Sequence, residues 1–331
     1  MNAQTSSFPQ PSLIPPLLEK AFEYRRGLSL NTNAMRLVNG QGDGLPDLII
    51  DRFDKHFVVY ILNPFWLQHK KTVQDVLSKH FPVDYLVFKD RTVSENRDAD
   101  KVALEAAIDR AGSQTIVEEN GLKFKVDLND HLNQGLFLDM RKNRKLVASS
   151  AKDKAVLNCF SYTCSFGAYC RYFGAERVVN IDISSKVLSR GEENYRLNGL
   201  KTGRSEFLKE HAVYYIQRAA KRNNFFDIII LDPPSFSRYE GKVFSVKKDM
   251  PDLIEKSIRI LNEDGILFVS TNLSSISRPQ LEGWAMAAAK RAGRKVVAVD
   301  RLSQDIDFRG SGLMKESFLS ALLLKTRRIN V

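Results

Sequence analysis

Residues 155–325 alternate between short apolar runs and longer amphipathic stretches. Apolar runs at 155–158, 177–181, 205–208, 226–231, 266–270, 295–299 and 318–325 predict strands. The stretches at 165–173, 185–198, 212–221, 250–261 and 278–292 predict helices, the second closed by Gly199. Each helix carries the chain from one strand to the next. This rhythm restricts the region to an α/β fold, a Rossmann-like, doubly wound, mainly parallel sheet with helices on both faces.

The preceding region reads as a smaller α+β domain. Residues 37–62 suggest strands separated by turns at 40–44 and 51–55. Residues 66–80 fit an amphipathic helix with Leu67, Val73, Val76 and Leu77 on one side. A strand is expected at 84–89 and a short helix at 98–110. Asn120-Gly121 marks a hairpin within 115–127. The expected organisation is a disordered lead-in over 1–16, a small α+β domain over 17–115 that recognises RNA, and a larger domain over 116–331.

The 331 residues leave room for two domains and a sizeable core. No apolar run approaches the roughly 18 residues of a membrane span, and no basic segment precedes an apolar core at the N-terminus. The expected location is cytoplasmic. Cys159, Cys164 and Cys170 fall close together without a wider framework, which argues for a reducing compartment and against a disulfide scaffold. The five histidines are scattered, so no zinc site is expected. The net charge of +11 is unevenly placed. Residues 1–115 hold 14 Lys and Arg against 14 Asp and Glu, so the whole excess lies in 116–331. A basic domain attracts a polyanion such as RNA, although the same charge can simply solubilise a surface.

The strand at 226–231 ends abruptly in Asp232, Pro233, Pro234, Ser235 and Phe236. Two prolines cannot continue the ladder, so the acid and the aromatic stand on a stiff loop at a strand's carboxyl end. Ligands bind at that edge of an open α/β sheet. An acceptor beside a stacking ring suits a planar base. The same residues also suit a proline-rich turn around a buried Phe.

Residues 158–167 (NCFSYTCSFG) occupy the place of the nucleotide-binding loop, with Asn158, Phe160, Ser161 and Tyr162 as candidates. The loop lacks GxGxxG spacing and retains only Gly167, which favours a cofactor without a diphosphate. Asp182, followed by Ile183, ends the second strand, where a carboxylate can accept from two ribose hydroxyls. An acid there also suits a helix N-terminus. Glu210, at the end of the third strand, can receive an adenine amino group or remain a solvated charge.

Together these residues resemble the class I S-adenosylmethionine-dependent methyltransferases. More narrowly they resemble bacterial 23S ribosomal RNA large-subunit base methyltransferases. The pieces that carry the resemblance are GLPDLIIDRF (44–53), QGLFLDMRKNR (134–144), VLNCFSYTCSFG (156–167), ENYRLNGL (193–200) and ILDPPSFS (230–237). It implies S-adenosylmethionine as cofactor and rRNA or a large-subunit precursor as partner. It also implies a cofactor pocket lined by Phe137, Asp139, Arg141 and Arg144. The last two suit a solvated helix start as well.

Two branches of the family differ in chemistry. The 5-methylcytosine branch usually carries an extra N-terminal RNA-binding module and a cysteine after the fifth strand. Here Ser270 is followed by Thr271 and Asn272. Cytosine C5 is not nucleophilic until a thiolate adds at C6, so the missing cysteine matters. The guanine-N7 branch shares GLFLD (135–139), DPPSFS (232–237), the Asn after strand five, and LSQD (302–305). Guanine N7 already offers a lone pair in the ring plane and needs chiefly to be held in line. By that resemblance Asp232, Phe236 and Asn272 hold the base. Arg238, Lys242, Lys247 and Lys248 grip RNA phosphates or form a mobile solvated loop. Two other readings are a protein or small-molecule methyltransferase and a non-catalytic RNA-binding factor.

Overall fold

The computed structural model describes residues 8–92, 103–131, 133–203, 205–239, 241–310 and 319–329. The chain forms two compact units. The first comprises Met1–Arg141 and Asp305–Glu316, the second Lys142–Gln304 and Ser317–Val331.

The first unit begins with a 3-10 turn (Pro11–Leu13) that runs into α1 (Ile14–Arg26). Ile14, Leu18, Ala21 and Phe22 recur at helical spacing and are buried. The lead-in expected over 1–16 is therefore corrected. Residues 1–7 lie outside the described residues, and the chain is already helical from Pro11. Pro15 and Pro16 suit a first turn, whose N–H groups have no helical partners.

Strands β1 (Ala34–Asn39), β2 (Leu48–Phe53) and β3 (His56–Ile61) form an antiparallel meander. After a 3-10 segment (Pro64–His69), α2 (Lys70–His80) crosses to β4 (Tyr85–Asp90), which lies parallel to β3. Leu67 falls in that 3-10 segment and is exposed, off the apolar stripe of α2. β5 (Ala103–Asp109) completes the sheet, antiparallel to β4. This corrects the helix expected at 98–110, of which 98–102 lies outside the described residues. The open edge of β4 outweighs the helical preference of ALEAAID. One sheet face packs Leu37, Ile50, Val59 and Phe88 against Leu18, Phe22, Val73 and Leu77 of the helices.

The other half of the unit comes from residues beyond 113. β6 (Gln114–Glu119) and β7 (Leu122–Asp127) pair around Asn120 and Gly121, whose φ values of 51° and 85° suit a type I′ turn. Thr32 Oγ1 donates to Glu118 O at 2.7 Å. Tyr60 Oη donates to Gln134 Oε1 at 2.7 Å and Lys89 Nζ to Asp130 O at 2.6 Å. Burial of that ammonium pushes Lys89 down to about 8. The boundary expected at 115/116 thus moves to Arg141, because the hairpin and the segment after it bond to the first sheet. A second piece joins from far along the chain. The Asp307 carboxylate accepts from Arg141 Nη2 at 2.5 Å and from Arg36 N at 2.9 Å.

The second unit starts at Lys142, one residue into α3 (Arg141–Ala148), and then alternates. Its elements are β8 (Ala155–Cys159), α4 (Ser165–Tyr172), β9 (Arg177–Asp182), α5 (Ser185–Leu197), β10 (Phe207–Lys209) and α6 (Ala212–Lys221). β11 (Phe226–Leu231) is followed by a hairpin, β12 (Phe236–Tyr239) and β13 (Lys242–Ser245), and by α7 (Val246–Arg259). β14 (Leu261–Thr271), α8 (Arg278–Arg291), β15 (Arg294–Leu302) and β16 (Ser320–Arg328) complete it.

The sheet order is β10-β9-β8-β11-β14-β16-β15. The first five strands are parallel, and β16 runs antiparallel to both neighbours. Alternate residues face opposite layers. Leu157, Ile181, Ile229 and Val269 share a core with Ile216, Leu253 and Leu281 of α6, α7 and α8. Asn180 and Phe268 instead meet Tyr195 of α5 and Phe166 of α4. The doubly wound expectation therefore holds. From β8 the chain winds toward β9, and from β11 toward β14. The crevice of the unit opens where these neighbours diverge, at their carboxyl ends.

Candidate cofactor and substrate crevice

Three non-glycine residues in the five after β8 adopt the left-handed region: Phe160 (φ 57°), Tyr162 (φ 49°) and Cys164 (φ 59°). Each costs on the order of 1 kcal/mol or more and persists only where neighbours over-determine it. Here Ser161 N donates to Ile181 O at 2.9 Å, Tyr162 N to Asp182 Oδ2 at 3.0 Å, and Cys164 N to Ser161 O at 2.8 Å. The turn that glycines make in a GxGxxG loop is made here by strained residues laced to β9. No sequence signal announced it.

Asp182 stands at the end of β9, with its carboxylate braced by N–H groups of Tyr162 and Ser184, each at 3.0 Å. Burial raises its pKa, and those main-chain donors oppose the rise. Ile183 contributes its N–H to the same turn. Glu210 follows β10. Its main-chain N–H donates to Asp182 O at 3.0 Å, and its carboxylate accepts from Arg218 Nη2 at 2.5 Å.

Two expected binding residues also have packing roles. Asn158 is buried and donates from Nδ2 to Asn180 Oδ1 at 2.9 Å, while Asn180 Nδ2 donates to Tyr195 Oη at 3.1 Å. A Cβ on Gly167 would stand 2.1 Å from Asn180 Oδ1 and 2.7 Å from Tyr195 Oη. Gly167 therefore lets α4 approach β9 closely, the role of the last glycine in a nucleotide-binding turn.

The segment read as 134–144 is divided. Phe137 is exposed, and Asp139 lies in a 3-10 turn (Leu138–Met140) of the first unit. Arg141 is buried and committed to Asp305, Asp307 and Ala34 O. Arg144 is buried in the second unit, its guanidinium 5.9 Å from the centre of the Tyr169 ring. The solvated helix start is excluded for both arginines.

At the end of β11, Asp232 accepts from Ser270 Oγ of β14 at 2.7 Å. That serine was missed, because only register brings β14 beside β11. Pro233 is buried and Pro234 exposed. Ser235 Oγ lies 3.4 Å from Asn272 Oδ1, so the proline loop and the residue after β14 do converge. Phe236 is 51% exposed, with the Arg238 guanidinium 5.4 Å from its ring centre. This corrects the turn around a buried Phe.

The basic stretch is not a loose loop. Arg238 lies in β12 and Lys242 begins β13, while Lys247 and Lys248 are exposed on the first turn of α7. That helix starts four residues before the expected 250, because Asp249 accepts from Ser245 N at 2.8 Å and fixes its entry. On the hairpin, Phe244 packs on Phe160 with ring centres 5.6 Å apart, and Tyr239 on His211 at 5.5 Å.

All three cysteines are buried and unpaired with one another. Burial pushes the thiols up, Cys170 to about 12 and Cys159 and Cys164 further. None presents a thiolate to the crevice. Among the described residues, no cluster of metal-ligating side chains occurs and no helix is long and apolar enough to cross a membrane.

Residues 93–323 match a family model described as S-adenosylmethionine-dependent methyltransferase. The chain is 31% identical over 320 residues to YwbD of Bacillus subtilis (strain 168), whose name places it among ribosomal RNA large subunit methyltransferases; the match covers 94% of this chain and 79% of YwbD. It is 30% identical over 287 residues to ribosomal RNA large subunit methyltransferase I of Tolumonas auensis, covering 84% of this chain and 70% of that protein. The crystal structure of SMU.776 in complex with SAH superimposes with a TM-score of 0.84 at 26% identity, covering 95% of this chain and 81% of the other.

Proposed function

The chain belongs to the S-adenosylmethionine-dependent methyltransferase family, and we propose that within it the substrate is a base of large-subunit (23S) rRNA, guanine at N7. It is an enzyme, and S-adenosylmethionine is its cofactor. The crevice suits that molecule. Asp182, a braced carboxylate at the end of β9, suits ribose hydroxyls, and Glu210 at the end of β10 suits the adenine amino group. Phe160, Ser161 and Tyr162 line the turn beside them, and Arg144 is proposed to complete the pocket. Bound S-adenosylmethionine supplies an electrophilic methyl group on a sulfonium.

The remaining work is positioning. Asp232, held by Ser270, accepts from the guanine ring N–H or amino group. Pro233 and Pro234 keep that carboxylate from swinging. Phe236 stacks on the base, and Asn272 fixes its edge beside Ser235. Aligning N7 with the methyl group lowers the barrier without a base or a thiolate. Arg238, Lys242, Lys247 and Lys248 receive phosphates of an unpaired RNA segment. The substrate is rRNA or a large-subunit precursor, met in the cytoplasm.

The observation that carries the choice of atom is Asn272 against the proline loop, with every thiol buried. The relatives named for ribosomal RNA support the choice of substrate. Mass-spectrometric nucleoside analysis of rRNA from cells lacking the gene tests it. The expected result is loss of one 7-methylguanosine, restored by purified protein and S-adenosylmethionine. Loss of a 5-methylcytosine would overturn the target atom, and an unchanged profile would overturn the rRNA reading.

A further inference from the structure

The β12–β13 hairpin has two unlike faces. Its register pairs Phe236 with Ser245, Ser237 with Phe244, Arg238 with Val243 and Tyr239 with Lys242. Paired and alternate residues share a face. One face therefore carries Phe236, Arg238 and Val243, and all three are exposed. The opposite face carries Tyr239 and Phe244. Phe244 is buried against Phe160 of the loop after β8, and Tyr239 packs on His211, the N-cap of α6 after β10.

These two anchors stand next to residues that serve the cofactor. Phe160 is two positions before Tyr162, whose N–H braces Asp182. His211 is adjacent to Glu210, whose N–H donates to Asp182 O. The hairpin also continues the proline loop, since Val246 N donates to Ser235 O at 3.2 Å. A displacement of either cofactor loop therefore changes the seat of the hairpin, and with it the aim of Phe236 and Arg238. Packed side chains of this kind are a physical route for coupling wherever both sites bias the same element.

We propose that Tyr239 and Phe244 are positioning residues that couple cofactor binding to RNA binding. Cofactor in the crevice fixes the two loops, the loops fix the hairpin, and the hairpin then meets RNA in its productive orientation. By linkage, RNA tightens the cofactor by the same factor. The inference rests on the RNA reading above and adds a property that the reading does not require.

The test measures affinity of the full-length protein for a labelled 23S rRNA transcript by filter binding, with and without saturating S-adenosylhomocysteine. The wild type is expected to bind RNA about 5-fold or more tightly with S-adenosylhomocysteine, the lower end of usual coupling factors. Tyr239→Leu, at a half-buried site, is expected to bind each ligand alone within about 3-fold of wild type while the coupling factor falls toward one. Tyr239→Phe keeps the ring and restores coupling, which a general loss of folding would not permit. RNA binding without coupling in the wild type, or undiminished coupling in Tyr239→Leu, overturns the inference alone. No RNA binding in either condition overturns the RNA reading and the inference together.

Discussion

Asp182 and Asp232 are carboxylates at the carboxyl ends of β9 and β11, the two strands that flank β8, and their surroundings give them different work. Asp232 takes a hydroxyl donor from Ser270, which fixes the direction of one of its oxygens. Asp232→Ala removes an orienting acceptor. It is expected to lower the methyl-transfer rate by about 100-fold or more, as misplacement of about 1 Å does, with affinity for S-adenosylhomocysteine within a few-fold. Tritium transfer and calorimetry together check this; equal loss of rate and affinity would make Asp232 chiefly a cofactor residue. Asp182 pays for its burial, and its pKa is raised in the folded state. A raised carboxyl contributes stability that is fully present below its unfolded pKa of about 4 and lost as pH rises through the folded value. Asp182→Asn cannot titrate. Its stability relative to wild type should therefore improve as pH climbs from about 4 to 7 in urea-unfolding series. Its affinity for S-adenosylhomocysteine should fall by about 10-fold, the worth of a charge-assisted bond to ribose. A flat stability difference across that range would contradict the assigned shift.

Elements were legible where one chain segment decides its own structure. The strands and helices of the second unit follow from apolar runs bounded by Gly, Pro and caps, and the Asn120-Gly121 hairpin from its turn residues. What failed was decided by neighbours. Residues 103–109 pair with β4 against their own helical preference, and the basic stretch after Phe236 folds into β12 and β13. The site divides in the same way. The places of Asp182, Glu210 and Asp232 at strand ends were readable because strand ends are readable. Ser270, His211 and Phe244 were not, because only sheet order brings them in. Gly167, read as a binding residue, also stands where α4 approaches β9 closely, which only the packing reveals. Its test has an informative sign. Gly→Ala inside a helix ordinarily stabilises by about 1 kcal/mol. At Gly167 the added methyl meets Asn180 and Tyr195, so Gly167→Ala should destabilise by about 1–3 kcal/mol as an overpacked core does. Chemical denaturation reads that sign directly, and a stabilised variant would show that α4 has room to move.

Across the whole chain, the feature least visible in the sequence is the return of residues 305–310 to the first unit. Asp305 and Asp307 find Arg141, and Asp307 finds Arg36, at separations of 164 to 271 positions, which no periodicity encodes. Charge balance was visible, because it is a sum. The excess of +11 carried by residues 116–331 is a statement about long-range attraction, and under the RNA reading it becomes a prediction about salt. Each phosphate of single-stranded RNA neutralised by a protein cation releases counterions and steepens the dependence of log affinity on log salt by about 0.7. Arg238, beside Phe236 on the hairpin, and Lys247 and Lys248, on the first turn of α7, are exposed. If all three meet phosphate, the triple alanine variant should bind a 23S rRNA transcript more weakly at low salt. Its log–log slope should be shallower by about two. Affinities of wild type and variant between 50 and 200 mM salt, both at saturating S-adenosylhomocysteine, measure the difference. An unchanged slope would mean that these cations are a solvated face and that the excess charge meets RNA elsewhere. A slope near zero in the wild type would mean that the substrate is not a polyanion at all.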